Sequence, residues 1–355
     1  MLDACRWLYN QLVKERKNKW DKRKQRVTCY DQIKTIPKLT AKHPRLELVY
    51  SQTRQNVAIR VDLAFKAFFR RCKSGEKPGY PRFKGELRYD SITYPQANNS
   101  FRLTENNTRI RLSKIGNVKI VYHQKLQGTI KTCTIKRSSA DKWYVTIVCD
   151  GVRDTKCKKV RTQVGIDVGL TTFATLSDGL KIPNPKFFMQ GERAVAKSQR
   201  KSSQYWKKTR AKTIARHTLA VIHEKIANRR IAFIHNQSRF IVDNYATIVV
   251  ENLGIKNMLI NSLYPTIRKG IYDVAWRTFL TQLAYKAANA GRQFIAVNPA
   301  YTTQDCSKCG NRQVMKLSDR TYCCPVCGLT IDRDLNAARN ILAVGLHSLA
   351  TQKVA

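Results

Sequence analysis

Val164-Gly165-Ile166-Asp167-Val168-Gly169 is an apolar run that ends on a carboxylate and a glycine. A short continuous apolar run of this kind is typical of a buried strand. Gly169 permits a tight turn, and residues 171–176 are predicted to form a second strand directly after it. This stretch therefore predicts the start of a sheet, with Asp167 at the end of its first strand.

Further strands and helices are predicted after this stretch. Apolar runs predict strands at 247–250 and 294–297, and a helical period predicts helices at 194–244 and 272–290. The segment 257–270 has no clear period and is predicted to be a flexible loop. Strands that alternate with helices indicate an α/β layer.

Three acidic residues occupy places where carboxylates are costly to bury. Asp167 and Glu251 each end a predicted strand, and Asp334 begins an Ala-rich predicted helix. Side chains at the ends of parallel strands converge on one crevice. Each acid alone is more often a turn former or a helix cap, but three clustered carboxylates need a cation, and Mg²⁺ prefers oxygen ligands. Two such ions can cleave a phosphodiester, so the pattern predicts a metal-dependent nuclease.

The charge of the chain indicates a polyanionic partner. The 355 residues include 66 Lys and Arg against 24 Asp and Glu, a formal net charge of +42. DNA, RNA and an anionic membrane surface are the candidates. No apolar run approaches the ~18 residues that span a bilayer, and residues 1–10 do not resemble a secretory signal. Nucleic acid is therefore the predicted partner, with no membrane.

The first half of the chain predicts two kinds of structure. Residues 1–75 have a helical period, and the basic stretch 14–26 is either a solvated helix face or a nucleic-acid face, the latter favoured by the overall charge. Pro and Gly residues within 75–85 indicate a boundary loop. From 90 to 150 the period changes to two, which predicts a small β-barrel or sandwich.

Four of the 11 cysteines form two Cys-x-x-Cys pairs: Cys306, Cys309, Cys324 and Cys327. Glycines at 310 and 328 follow the pairs, where a tight knuckle favours positive φ. Four thiolates at this spacing predict a closed structural Zn²⁺ site; a redox pair or unrelated thiols are the alternatives. Cys323 could replace Cys324, although only Cys324 repeats the spacing of the first pair. Six other cysteines are scattered singly, which suits a reducing compartment.

Four motifs in this order resemble a known family. They are Gly165-Ile166-Asp167-Val168-Gly169, Val249-Val250-Glu251-Asn252-Leu253, the double Cys-x-x-Cys-Gly ribbon, and Asp332-Arg333-Asp334-Leu335-Asn336-Ala337-Ala338. The chain resembles TnpB, a transposon-encoded protein family related to type V CRISPR effectors, over nearly its whole length.

The resemblance implies a multidomain α+β fold. It would comprise a helical recognition domain (1–80), a wedge-like β-barrel domain (81–160) and an RNase H-like (RuvC) α/β nuclease domain whose first two parts span 161–302. A zinc ribbon (303–330) would be inserted before the third part (331–355). Segment 257–270 falls where the family has a lid. Family members usually carry a strand before the first helix, whereas this chain starts almost at the helix; either the start is truncated or the barrel is built differently.

The resemblance also implies a function. A guide RNA from the transposon end would bind the basic surfaces, and double-stranded DNA next to a short flanking motif would be the target. Asp167, Glu251 and Asp334 would bind catalytic Mg²⁺, and the four paired cysteines would bind Zn²⁺. Asp334 is preferred to Asp332 because the family's catalytic Asp precedes the motif Asn, here Asn336, by two residues. A prokaryotic cytoplasmic location, with association with the nucleoid on DNA binding, is expected.

Two other functions share most of these features. An RNA-guided repressor would bind DNA without cutting it, but it has no need for three carboxylates. A guide-free transposase or resolvase would cleave without bound RNA.

Overall fold

The structure, a computed structural model, describes residues 1–104, 108–123, 125–151, 160–206, 209–316 and 319–354. It divides the chain into two compact units, Met1–Arg153 and Asp154–Ala355. Each unit has hydrophobic clusters of its own.

The first unit begins with helices and continues with short strands. Its helices are α1 (Leu2–Arg23), α2 (Cys29–Lys42) and α3 (Ser51–Lys73). Its strands are β1 (Ser91–Tyr94), β2 (Phe101–Leu103), β3 (Arg109–Leu112), β4 (Gly116–Lys119), β5 (Thr129–Arg137) and β6 (Trp143–Asp150). The predicted helical and strand regions are thus confirmed.

Helices and strands of this unit contribute to one core. Leu8 and Leu12 of α1 are fully buried, as are Val57 and Val61 of α3, because residues four apart lie on one helix face. The described strands form two antiparallel sheets, β1-β5-β6 and β2-β3-β4, and β3 alternates exposed and buried residues. The closed barrel remains a prediction.

The second unit mixes strands and helices. Its strands are β7 (Gln163–Val168), β8 (Thr172–Leu176), β9 (Lys181–Pro183), β10 (Thr247–Glu251), β11 (Gln293–Val297), β12 (Thr321–Cys323) and β13 (Thr330–Asp332). Its helices are α4 (Phe187–Gln204), α5 (Arg210–Asn244), α6 (Ile255–Asn261), α7 (Pro265–Val274), α8 (Trp276–Asn289) and α9 (Arg333–Val354).

A mixed sheet of order β11-β10-β7-β8-β9 is the centre of this unit. Strands β7, β8 and β9 form an antiparallel meander. Strand β10 pairs in parallel with β7, and β11 pairs in parallel with β10. The α/β layer predicted from the alternation of strands and helices is confirmed.

Helices cover both faces of the sheet, which explains its continuous apolar strands. Ile248 and Val250 of β10 pack in a cluster with residues of α5 and α8. Val249, between them, packs instead against Ile341 of α9. Because successive side chains of a strand point to opposite faces, all three must be apolar.

Three predictions about helices were wrong. The single helix predicted at 194–244 is two helices, α4 and α5, and Thr209 caps α5 by accepting a hydrogen bond from the Lys212 N–H at 3.2 Å. The loop predicted at 257–270 contains most of α6 and the start of α7. The helix predicted at 272–290 is divided at Ala275, whose φ of 55° is left-handed. An alanine in this conformation is rare, so the residue type did not indicate a break.

Candidate active site and cysteine cluster

Asp167 and Glu251 lie side by side at the carboxyl ends of two neighbouring parallel strands. Ile166 of β7 is the register partner of Val250 of β10, and each acid follows its member of this pair by one residue. Both side chains are partly buried. The predicted strand ends therefore bring these two carboxylates together.

Helix α9 brings Asp334 to the same place by lying very close to the sheet. A Cβ on Gly165 would stand 2.1 Å from the Ala338 carbonyl oxygen, and a Cβ on Gly345 would stand 2.4 Å from Val249 Cγ1. Only glycine permits these approaches, one on β7 and one on α9. Asp334 is one helical turn before Ala338, so it lies at the edge of the sheet that carries Asp167.

The three acids interact electrostatically. Burial raises the pKa of Asp167 well above its ordinary value, and the charges of Glu251 and Asp334 raise it further. Arg333 is the neighbouring cation that partly opposes this shift. Burial also raises the pKa of Glu251, against a hydrogen bond that it accepts from Thr302. A buried, mutually repelling carboxylate group of this kind favours binding of a cation.

Asp332 has a different environment from Asp334. Its carboxylate accepts hydrogen bonds from the backbone N–H groups of Asp334 and Leu335, at 3.1 and 3.0 Å, and it pairs with Lys181 at 2.7 Å. Although burial acts to raise its pKa, these partners hold the pKa below the ordinary value. Asp332 is thus a cap of α9 in an ion pair, while Asp334 acts electrostatically on Asp167.

Two residues that contact the carboxylates were not predicted from the sequence to belong to the site. Thr302 is 4% exposed and donates a hydrogen bond from its hydroxyl to Glu251 Oε1 at 2.6 Å. Arg333 Nη2 lies 3.4 Å from Asp334 Oδ1. Thr302 follows the last strand of the sheet in an irregular segment, where no periodicity could have identified it.

The four paired cysteines form a compact cluster. Their sulfur atoms all lie within 4.8 Å of one another, with 3.6 Å between Cys306 and Cys327 and 3.6 Å between Cys309 and Cys324. Zn–S bonds of about 2.3 Å in a tetrahedron place sulfur atoms roughly 3.8 Å apart. The cluster fits a zinc ion. Elsewhere in the described chain, no three potential ligand atoms from acids, His or Cys come this close.

The two tight knuckles that were predicted from Gly310 and Gly328 are present in this cluster. The Gly310 N–H donates to the Cys306 carbonyl at 2.8 Å, and the Gly328 N–H donates to the Cys324 carbonyl at 3.1 Å, with φ values of 76° and 68°. Backbone N–H groups, that of Cys327 first, lower the pKa of Cys324 to about 6. Cys323 is exposed and lies outside the cluster, so the structure selects Cys324.

The chain is similar to known proteins in sequence and in fold. Residues 146–261 match a family model described as "Probable transposase", and residues 276–341 match one described as "Cas12f1-like, TNB domain". The chain is 32% identical over 319 residues to "Putative RNA-guided DNA endonuclease InsQ" of Escherichia coli, covering 84% of this chain and 76% of that protein. It is 31% identical to "Putative RNA-guided DNA endonuclease" of Streptomyces pristinaespiralis, covering 98% and 85%. The chain belongs to the TnpB family.

The TnpB fold extends to a more distant group of solved structures. A Cas12f1 protein, from a complex with sgRNA and target DNA, matches 96% of this chain and 80% of its own at a TM-score of 0.53 and 14% identity. At this identity the likeness concerns the mixed α/β multidomain fold alone. No helix in the described part of this TnpB-family chain is long and apolar enough to cross a membrane.

Proposed function

We propose that the protein is an RNA-guided, Mg²⁺-dependent DNA endonuclease of a transposable element. It cuts target DNA next to a short flanking motif, with Asp167, Glu251 and Asp334 as the catalytic metal-binding residues. Two relatives above 30% identity carry the name RNA-guided DNA endonuclease, each with the qualifier "Putative".

The convergence of three carboxylates is the observation that carries this proposal. They come from β7, β10 and α9, and two of them raise the pKa of the third. Such a group is unfavourable in a protein without a cation, since the charge of Asp167 is both buried and repelled by the other two carboxylates. A protein that only binds DNA has no need for such a group of carboxylates.

The topology of the sheet supports a RuvC-type nuclease. An antiparallel meander of three strands, followed by two parallel strands on the side of the first, is the arrangement of the RNase H-like fold that the resemblance implies. In this arrangement, the first strand and the fourth are neighbours. Glu251 is the last residue of β10, and Asp167 is the last but one of β7.

Oxygen ligands of this kind suit Mg²⁺. Asp167, Glu251 and Asp334 would hold the metal, and a pair of ions supplies activation of the attacking water and stabilisation of the leaving oxygen. The protein's own part would be to hold the three carboxylates together, from β7, β10 and the first turn of α9.

Zinc and nucleic acids complete the proposal. Cys306, Cys309, Cys324 and Cys327 would hold a structural Zn²⁺ in the ribbon that joins β11 to α9. A guide RNA and double-stranded target DNA would neutralise the net charge of +42. The guide would recognise the target sequence by base pairing, and the protein itself would recognise only the flanking motif. The prokaryotic cytoplasm is the proposed location.

Replacement of Glu251 by Gln tests the function. The protein is purified with its co-expressed RNA and given a matching, correctly flanked duplex in Mg²⁺ or in EDTA. We expect Mg²⁺-dependent cleavage by the wild type, and Glu251→Gln to lose at least about 10³-fold in rate while it retains target binding. The exposed Glu47→Gln, between α2 and α3, is the matched control and should cleave normally.

Two results would contradict the proposal. Target binding without cleavage in Mg²⁺, unchanged by Glu251→Gln, would identify a repressor. Cleavage that persists after RNase treatment, without a discrete bound RNA, would identify a guide-free transposase or resolvase.

A further inference from the structure

Glu251 has a buried hydroxyl partner that the proposed chemistry has not yet used. Thr302 Oγ1 donates to Glu251 Oε1 at 2.6 Å and also lies 3.2 Å from the Pro299 carbonyl oxygen. Thr302 belongs to no helix or strand, so its place depends on what holds the irregular segment around it.

Helix α9 holds this segment through the side chain of Asn340. Its Nδ2 donates to the carbonyl oxygens of Thr302 at 2.8 Å and of Asp305 at 2.7 Å. One amide group therefore fixes the main chain at two points. Since main-chain carbonyls away from water need partners, loss of this amide would free the segment at Thr302, whose carbonyl would lose this donor.

Asn336, one helical turn earlier on α9, extends the attachment to the cysteine cluster. It is fully buried, its Nδ2 donates to the Asp305 carbonyl at 2.8 Å, and its Oδ1 accepts the Ser307 N–H at 2.9 Å. Ser307 directly follows Cys306. Residues four apart share one face of a helix, so both amides meet the same stretch of chain.

We propose that Thr302 and Asn340 are positioning residues for Glu251, and that segment 302–307 connects the cysteine cluster to the candidate active site. This inference rests on the proposed function, because it assigns Glu251 to the metal. Helix α9 then places two parts of that site, Asp334 directly and Glu251 through Asn340 and Thr302.

The size of the expected effect follows from other metal sites. Groups that hydrogen-bond to metal ligands fix the ligands' orientation, and their loss typically lowers metal affinity about 10- to 100-fold. The competing interpretation is that segment 302–307 serves only to anchor the zinc ribbon. In that case its loss would lower zinc content and stability without a separate effect on Mg²⁺.

The test compares variants of the full chain, purified with RNA. Thr302→Val keeps the side-chain shape and removes the hydroxyl, Thr302→Ser keeps the hydroxyl, and Asn340→Asp removes the two donated hydrogen bonds. The matched controls are Thr281→Val and Asn244→Asp, at exposed sites where each polar group donates to the carbonyl oxygen four residues earlier on its own helix.

Three quantities are measured for each variant. The first is the Mg²⁺ concentration for half-maximal cleavage, and the second is zinc content by elemental analysis. The third is Mn²⁺ binding, measured by electron paramagnetic resonance. The Mn²⁺ bound by the Glu251→Gln protein serves as the background, because the co-purified RNA also binds this ion. We expect Thr302→Val and Asn340→Asp to need at least about 10-fold more Mg²⁺, with cleavage recovering at high Mg²⁺ and zinc unchanged. Thr302→Ser and both controls should stay within about twofold of the wild type.

The outcomes separate the two proposals. Unchanged Mg²⁺ and Mn²⁺ responses in Thr302→Val, or a change that always accompanies loss of zinc or of thermal stability, would overturn the positioning role. A wild type that binds Mn²⁺ in a Thr302-dependent way yet cuts no target would overturn the proposed function and leave the positioning role standing. Absence of Mn²⁺ binding above the Glu251→Gln background would overturn both.

Discussion

At the scale of single residues, Asp167 is the least favourably placed group of the candidate site. Burial and two neighbouring carboxylates raise its pKa, and Arg333 offsets only part of this effect. Residues held in a costly environment tend to serve function, and their replacement often stabilises a protein while it abolishes activity. Replacement of Asp167 is therefore expected to raise the stability of the protein and to lower its cleavage activity.

Asp167→Asn should stabilise the metal-free protein at neutral pH and abolish cleavage. A carboxyl whose pKa is higher in the folded chain than in the unfolded one binds more protons when folded, so stability falls as pH rises above the ordinary value of 3.8. Thermal unfolding in EDTA should show the Asp167→Asn variant and the wild type nearly equal at about pH 4 and the variant more stable at about pH 8. The exposed Asp21→Asn is the control. A variant less stable than the wild type at the higher pH would contradict this prediction.

The residues of the site were predictable to different degrees. Asp167 and Glu251 could be found because a carboxylate that ends an apolar strand is conspicuous in sequence. Asp334 needed the family resemblance to distinguish it from Asp332, and the structure shows the physical difference, an ion pair with Lys181. Thr302 could not be predicted, because its role depends on contacts with residues distant in sequence.

At the scale of elements, α9 determines how the candidate site is assembled. It packs on β7 at Gly165 and on β10 through Gly345, and its first turn carries Asp334. The side-chain amides of Asn336 and Asn340 in α9 hydrogen-bond to the segment that leads to the cysteine cluster. A change in how α9 rests on the sheet should therefore alter stability and cleavage together.

Gly165→Ala should displace α9 and inactivate the protein. The added Cβ would meet main-chain and side-chain atoms of α9 at 2.1 to 2.8 Å, and no flexible side-chain end can move aside. Overpacking of this kind costs about 1–3 kcal/mol or more. Gly79→Ala, with no atom within 4 Å of the new Cβ, is the control. Thermal unfolding and a cleavage assay check this; a Gly165→Ala protein as stable and active as the control would show that α9 is not so tightly packed.

The cysteine cluster makes a separate prediction about metal content. Elemental analysis should find one zinc per wild-type chain, and Cys327→Ser should lose most of it because a tetrahedral site needs all four thiolates. Cys323→Ser should keep its zinc, since Cys323 lies outside the cluster. Loss of zinc in Cys323→Ser but not in a Cys324→Ser protein would reverse the assignment.

Elements were predictable where burial dominates. The central strands β7, β8, β10 and β11 were found because both faces of the sheet are covered, which demands apolar residues. The breaks between helices were missed, because they depend on local backbone geometry such as the left-handed Ala275. The three-residue strand β9 was not predicted, since so short a segment has no measurable period.

At the scale of the whole molecule, positive charge dominates. A formal net charge of +42 on 355 residues is self-repelling unless phosphates neutralise it. RNA affinity should therefore fall steeply with salt, by about 10³- to 10⁵-fold between roughly 50 and 200 mM if 6–10 phosphates are contacted. Filter binding across a salt series measures the slope, and a shallow slope would indicate that few phosphates are contacted.

The order of the carboxylates along the chain also matters while the protein is being made. A ribosome completes the sheet with Asp167 and Glu251 before it reaches the cysteine pairs and then Asp334. A nascent chain can thus fold its basic N-terminal portions first, yet the candidate metal site is incomplete until α9 emerges and docks. With the proposed nuclease function, the protein would not cut nearby DNA during its own synthesis, and a guide RNA could bind before the first cut becomes possible.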